Sequence, residues 1–325
     1  MKNYLSLVKF SHTVFALPFA MIGFTLGWYS LYLLGLPYGT KIGEFVSYTQ
    51  TFKFEGTNAL IKFIVTSFPY NPIYVFIFLK LFLVLICMVT ARNAAMAFNR
   101  YIDRKYDEKN PRTAIREIPA GIITPKNALV FIVINCVLFI ITTYFINQLC
   151  FFLSPVALAV ILGYSLTKRF TFLCHLILGV GLGLAPIGAF LAVTGRFEAL
   201  PLFFSFAVFF WVSGFDIIYA LQDEQFDKEN KLYSIPSYFG QNKAKWISRF
   251  LHVCSFLCLL AAGFYGHFGV LYLLGLAVFG GLLIYQHSIV IRFGLQKIDL
   301  AFFTTNGIAS VLFALCVITD IIMHF

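Results

Sequence analysis

Residues 72–121 read PIYVFIFLKLFLVLICMVTARNAAMAFNRYIDRKYDEKNPRTAIREIPAG. The first half is an apolar run long enough to cross a bilayer, for which about 20 residues suffice. It passes without a polar linker into 99–121, where ten of 23 residues are charged in a chain whose charged fraction is 12%. A transmembrane helix that continues past the membrane surface and carries its charges with it is the reading that decides the fold. Asn99, Asp103 and Asp107 are four apart, and positions i, i+4 and i+8 fall on nearly one face of a helix.

Working outward, comparable apolar runs lie near 10–35, 72–97, 127–146, 148–165, 172–194, 200–221, 246–264, 268–290 and 300–323. With 60% hydrophobic and 18% aromatic residues over 325 positions, the composition is that of a polytopic membrane protein rather than a soluble domain. The expected fold is all-α: nine transmembrane helices bundled around a central cavity, one domain over 1–325. The polar, aromatic stretch 36–71 is read as an insertion in an outer loop. The apolar run after Lys2 and Lys9 is too long for a signal-peptide core and is read as a retained first helix.

A formal charge of +10 would suit nucleic acid, but the cations are sorted by side. If the N-terminus is cytoplasmic, one side receives Lys2, Lys9, the 100–126 cluster, Lys168, Arg169, the 228–249 group, Arg292 and Lys297. The other receives only Lys41, Lys53, Lys62 and Arg196. That asymmetry is the positive-inside pattern of a plasma-membrane protein whose charged loops face the cytoplasm, so no nucleic-acid partner is expected. The seven cysteines lie mostly in apolar runs, without a CxxC pair or a Cys/His cluster, and read as packing. His12, His175, His252 and His287 read as packing or interfacial residues, and Lys80 either snorkels or faces a cavity.

A second charged loop on the same side, FDIIYALQDEQFDKENKLYSIP (215–236), holds Asp216, Tyr219, Asp223 and Asp227. Positions 219, 223 and 227 repeat the spacing of 99, 103 and 107 at a distance of 120 residues, which suggests two related helical halves. Carboxylates on one helix face repel unless a cation lies between them. Oxygen ligands without an adjacent His or Cys suit a hard cation such as Mg²⁺, which combines one or two carboxylates with water and phosphate oxygens. Asn99, Asp103, Asp107, Asp223 and Asp227 are the candidate metal ligands. Arg112, Arg116, Lys168, Arg169 and Lys228 would neutralise a phosphate group. A lipid diphosphate, its head on the metal and its tail between helices, is the ligand this arrangement fits. One mixed-charge loop alone would be read as a solvated segment that sets topology; two on one side with matching carboxylate spacing are not.

With these residues assembled, the chain resembles the UbiA superfamily of intramembrane prenyltransferases. The family's first motif, NDxxDxxxD, is matched by NRYIDRKYD at 99–107, and its second, DxxxD after a YA pair, by YALQDEQFD at 219–227. NPRTAIREIPAG at 110–121 resembles the RTxxRPLPSG segment that follows the first motif. The resemblance runs through nearly all nine spans and lapses in 36–71. KFSHTVFALPFA (9–20), ARNAAMAFNR (91–100), GYSLTKRFTFLCH (163–175) and APIGAFLAVTG (185–195) look like the branch that prenylates a naphthoate in the futalosine route to menaquinone, often labelled 4-hydroxybenzoate polyprenyltransferase. One departure stands out: Arg100 occupies the place of an aspartate.

The resemblance implies Mg²⁺-dependent transfer of a polyprenyl group from its diphosphate to the ring of a hydroxy-aromatic acid, 1,4-dihydroxy-6-naphthoate or 4-hydroxybenzoate. Asp103, Asp107, Asp223, Asp227 and Tyr219 would carry the reaction. Tyr219 or Asp216 would orient the acceptor or the diphosphate, and Arg92 would hold the acceptor carboxylate. The rival readings are a secondary transporter that uses intramembrane acids and, given Arg100, a scaffold that has lost catalysis.

Overall fold

The computed structural model describes residues 2–7, 15–33 and 72–323; the stretch 36–71, Lys9 and His12 lie outside the described residues. The described chain is helical, with no strand. Its helices are α1 (Lys2–Leu7), α2 (Leu17–Leu33), α3 (Pro72–Lys109), α4 (Pro125–Ile146), α5 (Gln148–Thr167) and α6 (Cys174–Thr194). After these come α7 (Ala199–Ala220), α8 (Glu224–Glu229), α9 (Ile235–Tyr265), α10 (Val270–Phe293) and α11 (Thr305–Met323). Among the described residues, eight helices are long and apolar enough to cross a membrane, and a shorter apolar one, Leu17–Leu31, joins them. Together they match the expected nine, with α2 the short one.

Helix α3 has 38 residues, about 57 Å at 1.5 Å per residue. That is nearly twice a hydrocarbon core of about 30 Å, so the helix carries the row 99–107 beyond its apolar part, as the sequence implied. The second row is built differently. Helix α7 stops at Ala220, a 3₁₀ turn spans Leu221–Asp223, and α8 restarts at Glu224. Three residues per turn in place of 3.6 turn the chain between Tyr219 and Asp223, so Tyr219, Asp223 and Asp227 do not form the single continuous row of one helix face.

The breaks follow local chemistry. Thr124 caps α4, its hydroxyl accepting from the Asn127 amide at 3.3 Å, with Pro125 behind it. Asn147 alone separates α4 from α5: its side-chain oxygen accepts from the Cys150 amide and its Nδ2 donates to the Leu191 carbonyl, each at 2.8 Å. Beside it, Lys80 is buried on α3 and donates to the Ile146 carbonyl at the end of α4. The lysine therefore neither snorkels nor faces a cavity; it satisfies a helix C-terminus, where carbonyls lack partners and a cation is favoured.

Helix α7 packs between α6 and α9, α2 lies against α6 and α11, and α3 pairs with α4. At the centre, Phe19, Trp211, Phe279 and Phe313 are fully buried against one another, the Phe19–Trp211 and Trp211–Phe279 centroids being 5.4 and 5.7 Å apart. The Trp211 indole donates to Asn306 Oδ1 at 3.0 Å, so its buried donor is satisfied. Helices α2 and α6 nearly touch by backbone: a Cβ on Gly23 would lie 2.0 Å from the Pro186 carbonyl oxygen. Small residues permit such approach in a bilayer. Gly23→Val should force the pair apart and destabilise the fold by at least about 1–3 kcal/mol, the usual range for overpacking, read as a lower melting temperature in detergent.

Candidate active site

The two charged segments meet at one end of the bundle, and each of their four motif carboxylates is matched by its own cation. Asp103 takes Arg169 at 3.2 Å, Asp107 takes Arg116 at 2.8 Å, Asp223 takes Arg112 at 2.6 Å and Asp227 takes Lys168 at 2.7 Å. The pairs knit the halves together. Lys168 and Arg169, adjacent at the end of α5, reach opposite rows, one to Asp227 and the other to Asp103. Arg112, from the loop after α3, crosses to Asp223 on the other half.

Geometry distinguishes the four. Arg112 Nη2 donates to both Asp223 oxygens, at 2.8 and 2.6 Å, while its Nη1 donates to the Tyr219 hydroxyl at 3.3 Å. Asn110 shapes this contact: its Oδ1 accepts from the Arg112 amide at 3.0 Å and its Nδ2 donates to Asp223 at 3.4 Å. Tyr219 is pinned from behind by Phe302, 4.3 Å between centroids. Arg116 Nη1 donates to both oxygens of Asp107, and Asn99 Nδ2 donates to Asp103 at 3.1 Å. Asp227 is fully buried; the Ser234 hydroxyl, which also caps α9, donates to it at 2.9 Å. Burial alone would lower the Lys168 ammonium, but the Asp227 carboxylate against it raises it above the ordinary lysine range.

Asp216, one turn before Tyr219, is held by His175, Nδ1 to Oδ2 at 2.7 Å. The histidine side chain is 4% exposed and the aspartate 24%, so the ring sits behind the carboxylate and leaves the acid open to the site. Arg92 lies on α3, seven residues before Asn99, within electrostatic reach of Tyr164. Lys228 does not join the acids: it donates to Glu224 at 2.6 Å, one turn away on α8. Lys168→Met should therefore reduce turnover at least about tenfold more than Lys228→Met, since loss of a buried pair costs far more than loss of an exposed one. Initial rates with the two purified variants check this.

Sequence reasoning read His175 as a packing or interfacial residue, where the structure pairs it with Asp216, and passed over Asn110, Ser234 and Glu117. The Ser-Ile-Pro of 234–236 carries a legible helix-cap signal, and Asn-Pro-Arg at 110–112 a turn signal. Nothing local marks His175, because its partner lies 41 residues away. Arg100 pairs with Glu117 rather than with a motif carboxylate, its Nη1 donating to Glu117 at 3.0 Å.

A chain-wide likeness decides among the readings of such a site. The UbiA prenyltransferase family model matches residues 60–308. The chain belongs to the UbiA prenyltransferase family. It is a multi-pass membrane prenyltransferase, and the transporter reading falls away. Among UbiA-family relatives, the chain is 30% identical over 227 residues to the 4-hydroxybenzoate octaprenyltransferase of Methylococcus capsulatus, covering 70% of this chain and 77% of that one. The enzyme of the same name from Cronobacter sakazakii is 32% identical over 225 residues, 68% and 76% of the two chains. A UbiA homologue from Aeropyrum pernix K1 superposes with a TM-score of 0.74 at 25% identity over 95% of this chain and 98% of that one. A UbiA homologue from Archaeoglobus fulgidus bound to GPP and Mg²⁺ shares the fold, with a TM-score of 0.64 at 19% identity over 98% and 99%.

Proposed function

We propose that this prenyltransferase moves a polyprenyl group from its diphosphate to the ring of a hydroxy-aromatic acid, 1,4-dihydroxy-6-naphthoate or 4-hydroxybenzoate, on the path to menaquinone or ubiquinone. The observation that carries the proposal is the meeting of two acid rows, each acid matched by a cation, at one end of an apolar aromatic bundle. The relatives named for 4-hydroxybenzoate support an aromatic acceptor, and the neighbour bound to GPP and Mg²⁺ supports a metal and a prenyl diphosphate.

Among the described residues no three acids, histidines or cysteines converge into a ready-made metal cage. Mg²⁺ needs none, since one or two carboxylates with water and phosphate oxygens complete its shell. The all-oxygen donor set Asn99, Asp103, Asp107, Asp223 and Asp227 fits that demand. Bound there, Mg²⁺ would supply Lewis-acid neutralisation of the diphosphate.

The chain's own groups account for the rest. Arg112, Arg116, Lys168 and Arg169 stabilise the departing diphosphate as the allylic C–O bond ionises. Apolar walls keep water from the allylic cation, and aromatic faces attract it. The ring carbon ortho to a hydroxyl forms the new C–C bond, and loss of its proton restores aromaticity. Asp216, fixed by His175, and Tyr219, fixed by Arg112, orient the reactants, and Arg92 holds the acceptor carboxylate with a two-pronged contact. The loops that carry these groups lie on the cytoplasmic side of the plasma membrane, by the distribution of cations.

The test incubates purified protein with Mg²⁺, an allylic diphosphate and, separately, 4-hydroxybenzoate and the dihydroxy-naphthoate. Prenylated product is expected from at least one acid. Absence of product with both overturns the proposal; product with 4-hydroxybenzoate alone excludes the naphthoate branch.

A further inference from the structure

We infer that Arg100 and Glu117 form a positioning pair that sets the place of Arg116, and through it the hold on the prenyl diphosphate; the inference rests on the function proposed above. Residues 100 and 107 are seven apart on α3, two turns of helix, and so share one stripe of its surface. That stripe presents a cation, Arg100, and an anion, Asp107. The loop returning along it presents the opposite signs on adjacent residues: Glu117 meets Arg100 at 3.0 Å and Arg116 meets Asp107 at 2.8 Å. The Arg116–Glu117 dipeptide thus docks on α3 as a two-pronged plug of complementary charge.

The Glu117 prong is the fixed one. The Arg100 and Glu117 side chains are 4% and 11% exposed, whereas that of Arg116 is 23% exposed. The second carboxylate oxygen of Glu117 accepts from the Ser6 hydroxyl on α1, so both oxygens are engaged. Its backbone is committed too, the Glu117 carbonyl accepting from the Ile123 amide at 3.0 Å. Around the pair, Leu7, Ala97, Ile118, Ile123, Ala128 and Ile132 pack into a buried apolar cluster. A buried ion pair adds little net stability, but breaking it leaves an uncompensated buried charge. Here that charge would be Arg100, within electrostatic reach of Arg116, and it would repel the cation the loop is meant to hold in place.

The pair also explains the departure at position 100. Against the motifs NDxxDxxxD and RTxxRPLPSG, this chain differs at four places; the two that change charge, arginine for aspartate at 100 and glutamate for proline at 117, meet in space. Each is unfavourable alone: an aspartate at position 100 would face Glu117 as a like charge, and Arg100 without Glu117 would be buried unpaired. Together they are neutral and fix the loop. Arg100 is therefore a loop anchor and no sign of lost catalysis.

The test measures KM for prenyl diphosphate and for the acceptor in Glu117→Gln, Arg100→Asp and the swapped double variant Arg100→Asp/Glu117→Arg. It also measures the protection from thermal unfolding that inorganic diphosphate gives each protein. A misfolded fraction lowers the maximal rate but leaves KM untouched, so KM separates positioning from mere support of the fold. Each single variant should raise KM for prenyl diphosphate about tenfold or more and weaken protection by diphosphate, with KM for the acceptor unchanged within about twofold. The double variant should recover most of both losses. Unchanged KM for the diphosphate in the single variants, equal rises for both substrates, or no recovery in the double variant would overturn the inference. If the wild-type protein yields no prenylated product at all, the proposed function fails, and the diphosphate protection series still judges the pair.

Discussion

Asp223→Asn should lower prenyl transfer by about 10²–10³-fold or more, the range for removing one preorganised group at a developing charge, while the protein stays folded. Asparagine keeps the shape of the side chain and can still accept from Arg112. It discards the negative charge that gathers Arg112, Asn110 and, through Arg112, Tyr219 into one cluster. Arg112 is 34% exposed, so water can take over its hydrogen bonds, and the variant loses little stability. The effect should fall on kcat and on kcat/KM for the diphosphate together, since the group acts where charge develops. Initial rates beside a melting curve in detergent decide it: a folded variant within about threefold of wild type would remove Asp223 from the active site.

Mg²⁺ and prenyl diphosphate should bind together far more tightly than either binds alone. The four acids and four cations of the site pair one to one, so its charges balance internally. A divalent cation arriving by itself must draw carboxylates from their partners and leave arginines exposed to one another. A diphosphate arriving by itself must draw the cations away and leave four carboxylates in repulsion. Arriving together, the two ligands exchange partners with the site: the carboxylates turn to the metal and the arginines to the phosphates, and no charge is stranded. Each ligand should therefore raise the affinity of the other by the same factor, at least about tenfold, which corresponds to about 1.4 kcal/mol. Titration calorimetry of Mg²⁺ with and without a non-hydrolysable prenyl diphosphate measures the factor; equal affinities would refute the exchange.

The helices were legible because the bilayer imposes one rule on every span, and the row 99–107 because a single helix carries it. Asp223 and Asp227 were legible as residues but not their placement relative to Tyr219, since the 3₁₀ turn at Leu221–Asp223 interrupts the helix between them and it. Which cation serves which acid was not legible. Lys168 and Arg169 are neighbours in the chain yet serve opposite halves of the site, a choice made by the packing of α5 and not by spacing. His175 was read as packing and Glu117 passed over for the same reason: each has meaning only through a partner brought to it by the fold. Lys228 carried the right charge in the right loop, but its own helix supplied a nearer acid.

Lys80 bears on how the chain is assembled. A charged ammonium inside the membrane is tolerated only when something polar receives it, and here that receiver is the Ile146 carbonyl, the last of α4. During synthesis α3 is complete 37 residues before that carbonyl exists. Helix α3 cannot settle in its final place until α4 has been made and turned back at Asn147. The lysine's native partner is therefore available only when α3 and α4 stand side by side as a hairpin, with the lysine as the latch between the two arms.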